Sequence, residues 1–399
     1  MNNKIIKDIW WLNPIYIYTM LLILVLLAWN TDAAMYQELY RVPQKGIDFW
    51  YVCLYFFNFF LFFIGYKFSE CKSYTYQDPL EFYFFYKILY YVTVGATLIW
   101  FANFIRMHGL YALFMFANAD EMSQNMYLFR EESGTISGLT TMTEFSPIVA
   151  TLAALIYRNT RQRMILMEMA FLVVLTIIRG AIFSQRIAFI EVLVPFGIAF
   201  VYDFEIKRIY NWVPILGVFA LILVFGIFEY SRSWSTYYVD HYHGTFWEFI
   251  VDRVAGYYTV AINTECLNLA HSNPTYLPYF SMNGFFNLPI LNQFEGAQDA
   301  NMAYYDVLSS YGNPEFNNPG GMLIWLVDYG VFGLLFSPVF GYVVGRAYKE
   351  FVYGHLYGLI VYPVFVYGLL ELPRLFFFGG KRGVFVAFAI FLVTRKLKK

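Results

Sequence analysis

Charge is scarce in this chain of 399 residues: Asp, Glu, Lys and Arg together make up 14%, where a soluble domain carries about 25%. The composition therefore speaks against a soluble globular enzyme. Cysteine is scarcer still. Of the three present, Cys53 falls in an apolar run, Cys71 in a segment expected to face the cytoplasm, and only Cys266 is expected outside, so no outer disulfide forms within the chain. The sequence also lacks a P-loop, a GxGxxG opening a helix, a CxxC pair and an HExxH. His241 and His243 stand two apart rather than at the i,i+4 spacing of a helical metal pair. Nucleotide-driven and zinc-dependent chemistry thus lack their usual signatures. No cofactor, no metal and no nucleic-acid partner is expected.

What the chain has in excess is hydrophobic residues, at 59%, and aromatics, at 22%. Runs such as "IYIYTMLLILVLLAW" and "WVPILGVFALILVFGIF" are continuously apolar and near the roughly 20 residues a helix needs to cross the hydrocarbon core. A transmembrane barrel would instead alternate in segments of about 10 residues. The reading is all-α: a polytopic integral membrane protein, a single integral domain over 1–399. About ten spans are expected, near 15–29, 48–66, 82–105, 138–157, 165–178, 187–202, 211–228, 320–345, 355–370 and 383–394. An even number puts both termini on one side, and the basic ends "NNKIIK" and "TRKLKK" make that side cytoplasmic. The first run follows Lys4 and Lys7 and is long for a signal peptide, so it is expected to stay as an anchor.

This topology divides the basic residues unevenly. The outer side receives two lysines, Lys45 and Lys381, against Arg41, Arg106, Arg130, Arg179, Arg186, Arg232, Arg253, Arg374 and Arg382. Topology asks for positive charge inside and is indifferent to which residue supplies it. Arginine, however, binds phosphate or carboxylate through a planar fork and keeps its charge when partly desolvated. Any one of these arginines also fits a lipid headgroup or an ion pair with a loop carboxylate. As a set they point to an anionic ligand handled at the outer membrane surface. Arg186, Arg232 and Arg253, then Arg130 and Arg374, are the candidate contacts, with Glu371 as a competing partner for Arg374.

The longest segment without a span is 229–319, a large outer loop. Within it 245–262 carries Phe246, Phe249, Ile250, Arg253 and Tyr257 at helical spacing, expected as an interfacial helix. The remainder is rich in Asn, Pro, Gly and Tyr, loop formers and sugar-facing side chains, which makes it the candidate acceptor region. Asp240, His241 and His243 are candidate bases just beyond the seventh span. Asp328 lies inside a span, where a carboxylate must pair or hydrogen-bond.

The block "NPEFNNPGGMLIWLVDYGVFGLLFSPVFGYVVGRAYKEF", 313–351, resembles the closing block of O-antigen polymerase-type oligosaccharide repeat unit polymerases. There an Asn-rich outer loop leads into a span carrying Asp-aromatic-Gly, here Asp328, Tyr329 and Gly330, followed by Gly333, Gly341 and Arg346. The stretches "SQRIAFIEVLVPFGIAFVYDFEIKR" and "LFREESGTISGL" are similar to that family's Arg-led span and second outer loop. "NNPGG" stands where a Thr-containing Asn segment is more typical.

The resemblance implies a membrane glycosyltransferase of the bacterial inner membrane that joins undecaprenyl-diphosphate-linked oligosaccharide units into a surface polysaccharide such as O-antigen. Membrane lipids, a chain-length regulator and a flippase are the implied partners. Asp328, Gly330 and Tyr257 are expected to organise the site. An O-antigen ligase of lipopolysaccharide biosynthesis, a lipid-linked oligosaccharide flippase or transporter, and an acyltransferase using His108 or His355 are the alternatives.

Overall fold

The computed structural model describes residues 9–71, 79–113, 135–136, 138–183, 187–201, 211–286, 288 and 291–395. Among these the chain is all-helical, with no strand and one isolated bridge, Gly320 to Leu375. Its principal helices are α1 (Pro14–Asn30), α2 (Phe49–Phe68), α3 (Tyr83–His108), α4 (Ser146–Thr160), α5 (Arg163–Phe183), α6 (Ile187–Val201) and α7 (Val213–Glu229). They continue with α8 (Phe246–His271), α9 (Glu295–Tyr311), α10 (Ile324–Tyr329), α11 (Phe336–Val352), α12 (Leu356–Glu371) and α13 (Lys381–Thr394).

Each apolar run of the sequence falls on helix. Local signals set some of the starts: Asn13 accepts from the Ile15 N–H ahead of Pro14, and Asp48 accepts from the Tyr51 N–H, side-chain caps for otherwise orphaned donors. Among the described residues four stretches are long and apolar enough to cross a membrane: Phe49–Phe68, Pro79–His108, Arg163–Ile182 and Ile324–Val352. Helices α1, α6, α7 and α12 are apolar but shorter. By length and composition this is an α-helical membrane protein. Helix α7 fits that solvent: Leu216, Val218, Phe219 and Ile227 are all more than half exposed, tolerable where the neighbour is lipid rather than water.

The helices gather into two compact units, Met1–Tyr76 with Ala255–Phe388, and Gln77–Val254 with Ala389–Lys399. In the first, α2 and α11 approach until their backbones nearly touch. A Cβ on Gly65 would lie 1.8 Å from the Pro338 carbonyl oxygen, and one on Gly341 2.0 Å from that of Phe62, so only glycine permits the contact. Asn58 stitches the same layer, donating to the Tyr18 hydroxyl at 2.8 Å and the Met322 carbonyl at 2.9 Å while accepting from Ser337.

The second half of α8 is enclosed in this first unit, with Val260, Ala261, Ile262, Asn263, Thr264, Glu265, Cys266 and Leu267 all at 1% exposure or less. The helix therefore runs nine residues beyond the 245–262 expected from the sequence. Polar side chains do not end it, because other segments satisfy them. Asn263 accepts from the Gly46 and Ile47 N–H groups and donates to the Gln44 carbonyl.

The expected span 320–345 is interrupted. Gly330, at φ +56°, ends α10, a 3-10 segment follows over Gly330–Leu335, and α11 resumes. In the second unit α3, α4, α5 and α6 pack together, with α4 buried along Ser146–Ile156.

Candidate functional site

In the second unit, α7 leads into a nine-residue π-helix, Tyr230–Tyr238, and a single turn, Val239–His241. π-helical turns are rare and concentrate at functional sites. Glu229 sits at their junction with no exposed surface. Its Oε2 lies 3.6 Å from Nε of Arg253, itself only 4% exposed, and accepts from the Ser233 hydroxyl. The Tyr238 ring stands 5.5 Å from the same guanidinium. Arg253 is thus one half of a buried ion pair, and breaking such a pair from one side costs about 3–5 kcal/mol. Arg232 falls within the π-helix.

Asp240, His241 and His243 are exposed at the turn that follows. His241 stacks on Tyr237, ring centroids 4.1 Å apart, and its Nδ1 is 2.7 Å from the Tyr237 carbonyl oxygen. A carbonyl only accepts, so Nδ1 carries the hydrogen and Nε2 is left as the acceptor when the ring is neutral, the form a general base needs. Beside it the Tyr242 hydroxyl donates to Asp252 at 2.5 Å. Thr245 donates its N–H and hydroxyl to Glu248, which holds that carboxyl below the usual range.

In the first unit, Arg374 and Tyr257 come together, the guanidinium 5.5 Å from the ring centroid. Nη1 of Arg374 is 2.9 Å from Glu371 Oε2, and its main-chain carbonyl accepts from the Gly320 N–H. Its buried Nε has no hydrogen-bond partner among the described residues, a donor left for an added oxygen ligand. Asp328 is fully buried. Its two oxygens accept from the Phe280 and Ser281 N–H groups at 2.8 and 2.7 Å, and its carbonyl accepts from Tyr276. This carboxylate therefore holds the 276–281 loop at the point where Gly330 turns the chain. Arg130 and Arg186 lie outside the described residues.

Two carboxylates, Glu144 and Glu265, were not singled out from the sequence. Glu265 is enclosed, accepting from the Tyr55 hydroxyl and the Leu323 N–H, both at 2.7 Å. Burial pushes its carboxyl up to about 8. Glu144 and Glu191, with Arg179, Ser146 and four threonines, line a small cavity in the second unit. Nη2 of Arg179 lies 3.6 Å from Oε1 of Glu144. Arg179 thus has an internal carboxylate partner. Pro195, inside α6, has no N–H for the Glu191 carbonyl four residues back, which weakens the helix next to this cavity. The sequence signal that finds Glu191 is a lone carboxylate within an apolar stretch, "IAFIEVLVPF". Comparison with protein-family models, curated proteins and solved structures finds no match to the chain.

Proposed function

We propose that the protein polymerises undecaprenyl-diphosphate-linked oligosaccharide units at the outer face of the bacterial cytoplasmic membrane, with about ten spans, cytoplasmic termini and 229–319 outside. One observation supports it above others. The Asp-Tyr-Gly that carries the family resemblance is a working part of the fold, Asp328 anchoring the Asn- and Tyr-rich segment that would meet the acceptor sugar. In the transfer, the acceptor hydroxyl oxygen bonds to the anomeric carbon of the growing chain. The bond from that carbon to the diphosphate oxygen breaks, its electron pair leaves with the diphosphate, and the hydroxyl proton passes to a base. His241, with Nε2 free to accept, suits the last role. Arginines neutralise the charge growing on the diphosphate.

Surface polysaccharide from a strain lacking the protein tests the reading. Loss of a polymerase leaves core bearing a single repeat unit, whereas loss of a ligase leaves none. In the same assay Arg186→Lys keeps the charge but loses the fork, and Arg186→Ala loses both. Removing one transition-state contact costs on the order of 2.7–4 kcal/mol, about a hundredfold or more in rate, so the ladder should collapse. A normal ladder from Arg186→Ala removes that residue from the chemistry.

A second reading, a lipid-linked oligosaccharide transporter, is favoured by the charged cavity on helices of the second unit, since transporters carry ionisable groups within their bundles. Its loss leaves no polysaccharide and precursors trapped inside.

A further inference from the structure

Thr264 and Asn268 on α8, and Ser272 just past its end, follow one another at intervals of four residues. The Ser272 N–H still bonds the Asn268 carbonyl, so the three share one face of the helix. Thr264 Oγ1, Asn268 Oδ1 and Ser272 Oγ are buried atoms with no hydrogen-bond partner among the described residues. Thr264 and Asn268 are enclosed altogether, at 0% and 1% exposure. A helical threonine can satisfy its hydroxyl on the carbonyl four residues back, as Thr259 does on Ala255 in the same helix and Thr93, Thr97, Thr151 and Thr176 do in theirs. Thr264 makes no such bond.

A buried polar atom without a partner is costly, and three in line call for a ligand that bonds them in turn. Side chains four apart on a helix are separated by about 5–6 Å, the span of two hydrogen bonds of roughly 2.8 Å placed end to end. One water molecule bridges that distance. The atoms are closed to the surface, which leaves room for single waters and not for a sugar.

Glu265 stands on the same flank, beside Thr264 and three residues before Asn268. Its oxygens accept from the Tyr55 hydroxyl and the Leu323 N–H, and a carboxylate has lone pairs for a further donor. The titratable groups around it are Tyr55 of α2, Tyr18 of α1 and Cys266, with Asp48 acting on Cys266. None of them is a cation. Burial pushes this carboxyl up to about 8, so its proton comes and goes near neutral pH although the residue is enclosed.

We propose that this face of α8 binds a short row of water molecules that carries protons between the exposed His271–Asn273 end and the Glu265 carboxyl. Each water takes a proton on one side and gives one up on the other. The last transfer forms an O–H bond on Glu265 and cancels its negative charge, and release runs the same steps backwards. The row lies apart from the π-helical turn and does not depend on which reaction the protein carries out.

The full-length protein in detergent tests both parts. Thr264→Val and Asn268→Leu keep shape and remove the polar atoms. Unpartnered atoms would make such changes neutral or stabilising, whereas lost water bridges lower Tm, and the double variant loses less than the sum because one water is shared. A Tm unchanged or raised in both single variants overturns the row. Proton arrival is read from the carboxyl stretch in infrared difference spectra after a pH jump, assigned by its loss in Glu265→Gln. Asn268→Leu should slow it, while Thr259→Val, which removes a hydroxyl from the opposite side of α8, should not. A lowered Tm with protonation as fast as in the unaltered protein overturns the proton role. Ser272→Ala, at the half-buried mouth, serves for both readouts where Asn268→Leu fails to fold.

Discussion

At the scale of single residues, the buried carboxyls divide by the partner each has found. Glu229 and Glu371 meet arginines, Asp328 meets two main-chain N–H groups, and Glu265 meets the Tyr55 hydroxyl and the Leu323 N–H, with no ion pair among the described residues. Burial drives the Glu265 carboxyl toward the neutral form, up to about 8. Once protonated, its Oε2 can donate to the Tyr55 oxygen, whose hydroxyl then turns to the Ile262 carbonyl at 3.5 Å. The sign follows. With the folded pKa above the unfolded one of about 4.3, the folded state binds the extra proton between them. Stability is greatest below about pH 4.3, declines as pH rises to about 8, and is flat above. Glu265→Gln should remove that slope in thermal melts, leaving Tm nearly level from pH 5 to 8. A slope that survives the substitution assigns it to another group. None of this was legible in "AINTECLNLA", where Asn263, Thr264 and Glu265 look like the fraying end of an interfacial helix. Burial all round comes from tertiary neighbours that a one-dimensional pattern does not contain.

At the scale of elements, the sequence was most informative where one property runs unbroken for a full helix. Every apolar run became helix, because length and apolarity leave the backbone no other way to satisfy its polar groups in lipid. It was least informative where a helix is broken or extended by distant contacts, as at Gly330 and beyond Ile262. Packing between elements turns on single atoms. A Cβ on Gly341 would sit 2.0 Å from the Phe62 oxygen, and a main-chain carbonyl inside a helix cannot swing away. Gly341→Ala should therefore separate α2 from α11 and lower stability by about 1–3 kcal/mol, the usual range for overpacking, or more. On α7 a Cβ at Gly217 would meet nothing within 4 Å, so Gly217→Ala should be neutral or stabilising by up to about 1 kcal/mol. Unfolding of the two variants side by side separates helix propensity from interhelical contact. Equal stabilities would mean that α2 and α11 do not pack at this distance in the membrane.

At the scale of the whole molecule, function hangs on which side of the membrane 229–319 occupies. The candidate bases, Arg253 and the segment latched to Asp328 all belong to or contact that stretch, and donors already moved across the membrane are met only from outside. Labelling with a membrane-impermeant thiol reagent decides the side, provided the chosen positions reach solvent. Ser281, at 2% exposure, would stay silent on either side, whereas Tyr276 and Tyr305 are 61% and 62% exposed. The native background is manageable: Cys266 is buried, so Cys53 and Cys71 alone need replacing by serine. In intact cells made permeable at the outer membrane only, Tyr276→Cys and Tyr305→Cys should label. Arg161→Cys, in an exposed turn expected in the cytoplasm, should label only after the inner membrane is opened. The reverse pattern would put the His241 turn and Arg374 on the side of the nucleotide-sugar pool, away from any flipped lipid-linked unit. A polymerase acting outside would then be untenable, while the charged cavity of the second unit would keep its transporter reading.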